Sequence, residues 1–126
     1  MTDFGVGVDI ESVDRFRKYR PGDPFLSRVF TPVELDYCFS KASPAPHLAA
    51  RFAAKEAIIK ALYNINIKED VTLKVNYKYI EIFNTARGVP IARVKGVPMA
   101  GLTLRISLSH NDDYGIAYAV IAEEKA

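Results

Sequence analysis

The chain has 126 residues, 49% apolar and 25% charged, with a formal net charge of +2. That balance suits one soluble globular domain with one modest core. The lone cysteine, Cys38, excludes an internal disulfide, and no apolar run reaches the length of a membrane span. A net charge this small argues against nucleic acid as the partner, although Arg15, Arg17, Lys18, Arg20 and Arg28 cluster early. Such a cluster favours an acidic partner, with a solvated helix face as the commoner explanation. With no signal-peptide pattern and one cysteine, the expected compartment is the cytoplasm.

The first predicted element is a half-buried strand over Phe4 to Ile10. Phe4, Val6, Val8 and Ile10 share one face; Gly5, Gly7 and Asp9 share the other. A short helix is expected from about Ser12 to Tyr19, broken by Pro21-Gly22-Asp23-Pro24. Thr31-Pro32-Val33-Glu34 reads as a capping box with proline at the first helical position, so a second helix starts there. Ser43-Pro44-Ala45-Pro46 reads as a loop, and a long helix follows from about His47 to Tyr63. Val71 to Phe83 is rich in strand formers, and Asn84 to Pro90 is a turn region. Ile91 to Val94, Leu102 to Ser109 and Tyr114 to Ala122 complete the strands, the last two joined by His110-Asn111-Asp112-Asp113 as a hairpin. Helices come early and antiparallel strands late, so the class is α+β.

The long helix is the most informative element. Ala50, Ala53, Ala54, Ala57, Ile58 and Ala61 form a core face, yet Phe52, Ile59 and Tyr63 run down the opposite side. Arg51 and Lys55 lie along one edge, Glu56 and Lys60 along the other. A helix apolar nearly all round is usually buried, and buried charges need partners. An i,i+4 Glu-Lys pair on an exposed helix is the plainer alternative, and the helix alone leaves both open. Asp9 is out of place in a strand, with two glycines on its face that allow another backbone or a ligand to come close. It could instead cap the element that follows, as could Glu11.

Asp9 and Glu56 come from different elements and could converge on one metal ion. Carboxylates suit magnesium, which commonly takes one or two of them with phosphate oxygens and waters. No Cys-His cluster exists for zinc. Arg51, Lys55 and Lys60 would supply positive charge for phosphate groups, so the set points to metal-assisted phosphoryl chemistry. Ser107-Leu108-Ser109-His110 puts a histidine at the end of a strand, where it could reach a ligand. A serine hydrolase is disfavoured because no Gly-x-Ser-x-Gly elbow is present. His47, near a helix start, reads as structural.

In this order and spacing, the segments resemble the small 4′-phosphopantetheinyl transferases of the holo-[acyl-carrier-protein] synthase type, over nearly the whole chain. The matching motifs are Gly5-Val6-Gly7-Val8-Asp9-Ile10 with Arg15, Phe30-Thr31-Pro32-Val33-Glu34, and Arg51-Phe52-Ala53-Ala54-Lys55-Glu56-Ala57 with Lys60. Glu81-Ile82, Asn84, Gly88-Val89-Pro90 and Ser107-Leu108-Ser109-His110 complete the set. The resemblance implies a single-domain fold with an antiparallel sheet packed against a long helix. It implies transfer of the 4′-phosphopantetheine arm of coenzyme A to a serine of an apo acyl carrier protein, releasing adenosine 3′,5′-bisphosphate, in support of fatty acid biosynthesis or another carrier-dependent pathway. By the same resemblance, Asp9 and Glu56 hold magnesium, and Lys60 stabilises charge on the phosphate and leaving group. Glu56 is the candidate base for the serine proton. Arg51, Lys55 and His110 bind phosphates or the nucleotide end, Gly88 and Pro90 line the adenine site, and Arg15, Arg17 and Arg20 dock the acidic carrier protein. Small members act as homotrimers with active sites between subunits, so an oligomer of that kind is expected.

The chain departs from the pattern in one segment and at two single positions. Tyr63-Asn64-Ile65-Asn66 stands where a glycine-rich loop is common, Val89 replaces a usual lysine, and Asn111 replaces a usual serine or threonine. Two rivals compete with the transferase reading: a degenerate relative that binds without chemistry, and a nucleic-acid-binding α+β domain. Retention of both Asp9 and Glu56 disfavours the first; the lack of a basic sheet interleaved with aromatics disfavours the second.

Overall fold

The computed structural model describes residues 2–65 and 75–124. Strands β1 (Thr2–Ser12), β4 (Leu102–His110) and β5 (Tyr114–Glu124) form one antiparallel sheet in the order β1-β5-β4. Strands β2 (Ile80–Asn84) and β3 (Pro90–Val94) form a separate antiparallel pair. Helix α1 spans Pro24–Val29, α2 spans Pro32–Phe39 and α3 spans Pro44–Ile65. The α+β class is as expected, with α3 lying across the three-stranded sheet.

Helix α3 is buried on nearly every side, as its apolar periphery implied. Ala53, Ala54, Ala57, Ile58, Ala61 and Leu62 join Ala117, Ala119 and Ile121 of β5 and Ile80 and Ile82 of β2 in the main core. A second cluster forms around Phe16, Leu26, Phe30, Leu48 and Phe52. Small residues on α3 permit a close approach of helix to sheet. Glycines on the sheet complete it: a Cβ built on Gly7 would lie 1.9 Å from the Ala57 carbonyl oxygen, and one on Gly5 would lie 2.3 Å from that of Ala61. At Gly115 the same atom would meet the Ala50 nitrogen at 2.6 Å.

This contact decides which face of the half-buried β1 meets the core. The glycine and acidic face is the buried one; Phe4, Val6, Val8 and Ile10 face outward, each about half exposed. Alternation fixed which residues share a face, but not which face meets the core. Gly7→Ala is expected to lower stability by about 3 kcal/mol, because the clash is with backbone that no rotamer change can relieve. A calorimetric melt should fall by about 10 °C; an unchanged melt would show that the strand can lift off the helix.

Other expectations shift in detail. The first helix is only one 3-10 turn, Val13–Phe16, and α1 was not anticipated. Asp23 caps α1 through the Phe25 amide at 2.8 Å with Pro24 at its first position, so the segment read as a breaker is a start signal. The Pro44–Pro46 segment is likewise not a loop but the first turn of α3, where proline costs no intrahelical bond. The capping box at Thr31 and Glu34 is present, and strands β3, β4 and β5 fall where predicted. Of the Val71–Phe83 stretch, residues 71–74 lie outside the described residues, Tyr77–Tyr79 is a 3-10 turn, and only Ile80 onward is strand. Cys38 is buried in α2 and its thiol is pushed up to about 12, mainly by burial, so it is chemically quiet.

Candidate active site

The packing of β1 on α3 sets the first half of the site. Gly5 sits against Ala61 and Ile65, and Gly7 against Ala57 and Ala61. One more step up the strand brings Asp9 against Lys60. Lys60 donates to Asp9 Oδ1 at 3.2 Å and to the Val8 carbonyl at 2.9 Å. The helix lysine therefore pairs across to the strand, not with Glu56 four residues earlier. Asp9 Oδ2 is buried and has no hydrogen-bond partner. Glu11, on the same face two residues on, has its carboxyl pushed up to about 7 by burial and by the adjacent Asp9. Arg15 pairs with Glu11 at 3.0 Å and lies over the Phe52 ring at 4.9 Å.

Glu56 has a partner that the sequence reading missed. The Tyr77 hydroxyl donates to Glu56 Oε1, and burial followed by that contact pushes the phenol up to about 12. Tyr77 also packs at a tilt against Phe52, centroids 5.3 Å apart. Tyr77 lay in a stretch read as strand, and no local pattern marked it for this contact.

The second half lies across the sheet. Asp9 and Leu108 are both in register with Ala117, and Glu11 and His110 with Gly115. Two strand spacings, about 10 Å, therefore separate the carboxylates of β1 from the end of β4. There His110 borders a cavity of about 230 Å³ that Arg51, Asn84, Gly88 and Pro90 also line. Arg51 is 4% exposed; its Nη2 donates to Asn84 Oδ1 at 3.3 Å, its guanidinium lies 3.9 Å from the Tyr37 ring centroid, and its buried Nε is without a partner. Gly88 turns the chain with φ at +81°, closing the Thr85–Gly88 turn through a 2.8 Å bond. The structure thus brings Lys60 onto Asp9 at one pole, with Glu56 one turn earlier on the same helix and held by Tyr77, and gathers Arg51, Gly88, Pro90 and His110 at the other.

Lys55 joins neither pole. It is fully buried, bonds Glu34 Oε1 at 2.8 Å, and donates to the Tyr77 and Ile80 carbonyls. All three ammonium hydrogens are used inside the core, so the expected phosphate-binding role does not fit it. Burial pushes its pKa down, against the opposing pull of Glu34. The remaining Glu34 oxygen accepts from the Ile82 amide at 2.8 Å. Arg17 pairs with Asp14 at 3.5 Å, donates to the Asp112 carbonyl and, with Arg20, borders a hollow beside Tyr19. Asn111 Oδ1 accepts from the Asp113 and Tyr114 amides and holds the hairpin turn. Where a glycine-rich loop was missing, Asn64 accepts from the Val6 amide; Asn66 lies outside the described residues.

A family model described as the 4′-phosphopantetheinyl transferase superfamily matches residues 5–119. The chain is 44% identical to a holo-[acyl-carrier-protein] synthase of Thermodesulfovibrio yellowstonii, over 93% of this chain and 96% of that one. It is 41% identical to that of Chlamydia trachomatis, over 93% and 98%. Among solved structures, an ACPS–CoA complex from Chronobacterium ammoniagenes superposes with a TM-score of 0.80 at 30% identity, covering 97% of this chain and 98% of that one. The Helicobacter pylori holo-[acyl-carrier-protein] synthase in complex with coenzyme A gives 0.74 at 28% identity, covering 92% and 98%.

Proposed function

Since the chain belongs to the 4′-phosphopantetheinyl transferase superfamily and, within it, to the holo-[acyl-carrier-protein] synthases, we propose that it moves the 4′-phosphopantetheine group of coenzyme A onto a serine of an apo acyl carrier protein. The serine oxygen attacks the phosphorus that bears the pantetheine arm. The bridging P–O bond breaks, and adenosine 3′,5′-bisphosphate leaves. The observation that carries this reading is the pairing of Lys60 with Asp9 across the β1–α3 contact, with Glu56 one turn before Lys60 on the same helix.

Magnesium fits these residues. Among the described residues no group of three His, Cys, Asp or Glu side chains forms a metal cage, but magnesium needs only one or two protein carboxylates. The unpartnered, buried Asp9 Oδ2 is a hard oxygen of that kind. Asp9 and Glu56 would hold the ion, which would neutralise the coenzyme A diphosphate. Lys60, its stem exposed and its ammonium on Asp9, can turn to charge developing on the leaving group. Glu56 would accept the serine proton, with Tyr77 fixing its carboxylate. Arg51 and His110 would bind the nucleotide end beside Gly88 and Pro90. Arg15, Arg17 and Arg20 would meet an acidic carrier protein. Within this reading the setting is the cytoplasm and the product serves fatty acid biosynthesis.

Intact-protein mass spectrometry of apo acyl carrier protein with this enzyme, coenzyme A and magnesium tests the reading. The carrier should gain one phosphopantetheine, and EDTA should stop the gain. No gain with any apo carrier protein would overturn it.

The outward face of β1 and β5 supports a homotrimer with active sites between subunits. Phe4, Val6, Val8 and Ile10 on β1 lie beside Ile116 and Tyr118 on β5, all 40% or more exposed. A contiguous apolar face of this extent marks a protein contact. Val8→Lys with Tyr118→Lys should give monomers by light scattering and lower transfer at least tenfold; a fully active monomer would contradict the shared site.

A further inference from the structure

The nucleotide pole contains a histidine that the sequence reading left as structural. His47 lies one turn before Arg51 on α3 and lines the same cavity as His110. The two imidazoles meet edge-on, centroids 4.7 Å apart at 62°. The Tyr37 ring of α2 also meets His47 edge-on, centroids 5.8 Å apart. Lys41, just after α2, lies 4.5 Å from the same Tyr37 ring.

The groups facing His47 are thus Tyr37 and Lys41 from the α2 region, Arg51 from α3 and His110 from β4. Asn84 at the end of β2 adds a neutral amide. Among the described residues no carboxylate pairs with Arg51, Lys41 or either histidine. A cavity lined by the Arg51 guanidinium and two imidazoles, with Lys41 nearby and no carboxylate on it, suits an anion. Burial and its three cationic or imidazole neighbours hold the His47 pKa below its ordinary value. A dianion bound beside the ring would pull the other way and favour the protonated imidazole.

Coenzyme A carries one group of that charge away from its diphosphate, the phosphomonoester at its nucleotide end. We propose that His47 is a ligand for this phosphomonoester and takes up a proton from solvent as the phosphate binds. The proposal rests on the coenzyme A reading above and adds to it a contact residue and a pH dependence. The complex holds more protons than the free protein, so affinity falls as pH rises through the window between the free and bound His47 values. One linked proton gives at most about tenfold per pH unit. Above pH 6.5 the phosphomonoester is itself largely a dianion, its second pKa being about 6, so the window from pH 6.5 to 8 reports the protein.

The experiment is isothermal titration of the full-length protein with coenzyme A at pH 6.5 to 8, in two buffers of different ionisation enthalpy. Wild type should take up protons on binding and lose affinity about fivefold or more across the range. His47→Phe and His47→Gln should bind more weakly at pH 6.5 and take up roughly one proton fewer. 3′-Dephospho-coenzyme A should show no His47-dependent uptake. An imidazole resonance of wild-type His47 that shifts to its protonated position on adding coenzyme A at pH 7 reads the same event without a variant. Equal uptake in wild type and both variants, or uptake that persists with the dephospho ligand, would overturn the proposal and leave the transferase reading standing. No coenzyme A binding at any pH would overturn both.

Discussion

Glu56→Gln is expected to lower phosphopantetheine transfer by about 10²–10⁴-fold while leaving the fold intact. Glutamine keeps the length and shape of the side chain, and its carbonyl can still accept from the Tyr77 hydroxyl that engages Glu56 Oε1. It cannot take a proton from the serine, and as a neutral donor it is a far poorer partner for a cation. The check is single-turnover transfer by mass spectrometry at saturating magnesium, beside a thermal melt. The melt should be unchanged within a few degrees. Tyr77→Phe separates proton acceptance from orientation: it removes the hydrogen bond that fixes the carboxylate but not the carboxylate, so its loss should be nearer tenfold. If Glu56→Gln retains full transfer, the proton goes elsewhere and the site assignment fails.

Much of this arrangement was legible because helix periodicity and strand alternation are local. The long helix of mixed charge and small residues gave α3; of its charged edges, Arg51 lines the cavity beside His110 and Lys60 meets Asp9, while Lys55 turns into the core. Asp9 stood out as an acid in a strand beside two glycines, and those glycines do mark a close approach, that of α3 itself. What local pattern could not give was the direction of burial. Strand β1 places glycines and acids against the helix and valines outward, an inversion of the usual rule that only the size of the α3 surface decides. Partners distant in sequence were also hidden. Glu34 and Lys55 are 21 residues apart, and so are Tyr77 and Glu56; neither contact follows from any period. Glu34 in particular was legible as a capping residue, and the structure bears that out through Thr31. Its second role appears only once α2, α3 and β2 meet.

That second role sets the other large expected effect. Lys55→Met should destabilise the protein by about 3–5 kcal/mol, because it leaves the Glu34 carboxylate buried without its countercharge. Both members of the pair are fully buried, so solvent cannot compensate. The same substitution also strips the Tyr77 and Ile80 carbonyls of their donor, and Tyr77 is the residue that holds Glu56. Replacing both partners, Glu34→Leu with Lys55→Met, removes the stranded charge and should recover part of the loss. Recovery stays incomplete, since the Thr31 and Ile82 amides still lose their acceptor. Denaturant melts of the two single variants and the double variant measure the coupling directly. Coenzyme A affinity distinguishes this account from a phosphate-binding Lys55. At a temperature where Lys55→Met remains folded, titration should show affinity within about threefold of wild type, whereas loss of a phosphate ligand from a well-folded protein would cost at least tenfold. A normal melt with lost coenzyme A binding would return Lys55 to the site; a collapsed melt with binding retained would establish that this lysine joins α2, α3 and β2 and leaves phosphate recognition to Arg51 and the histidines.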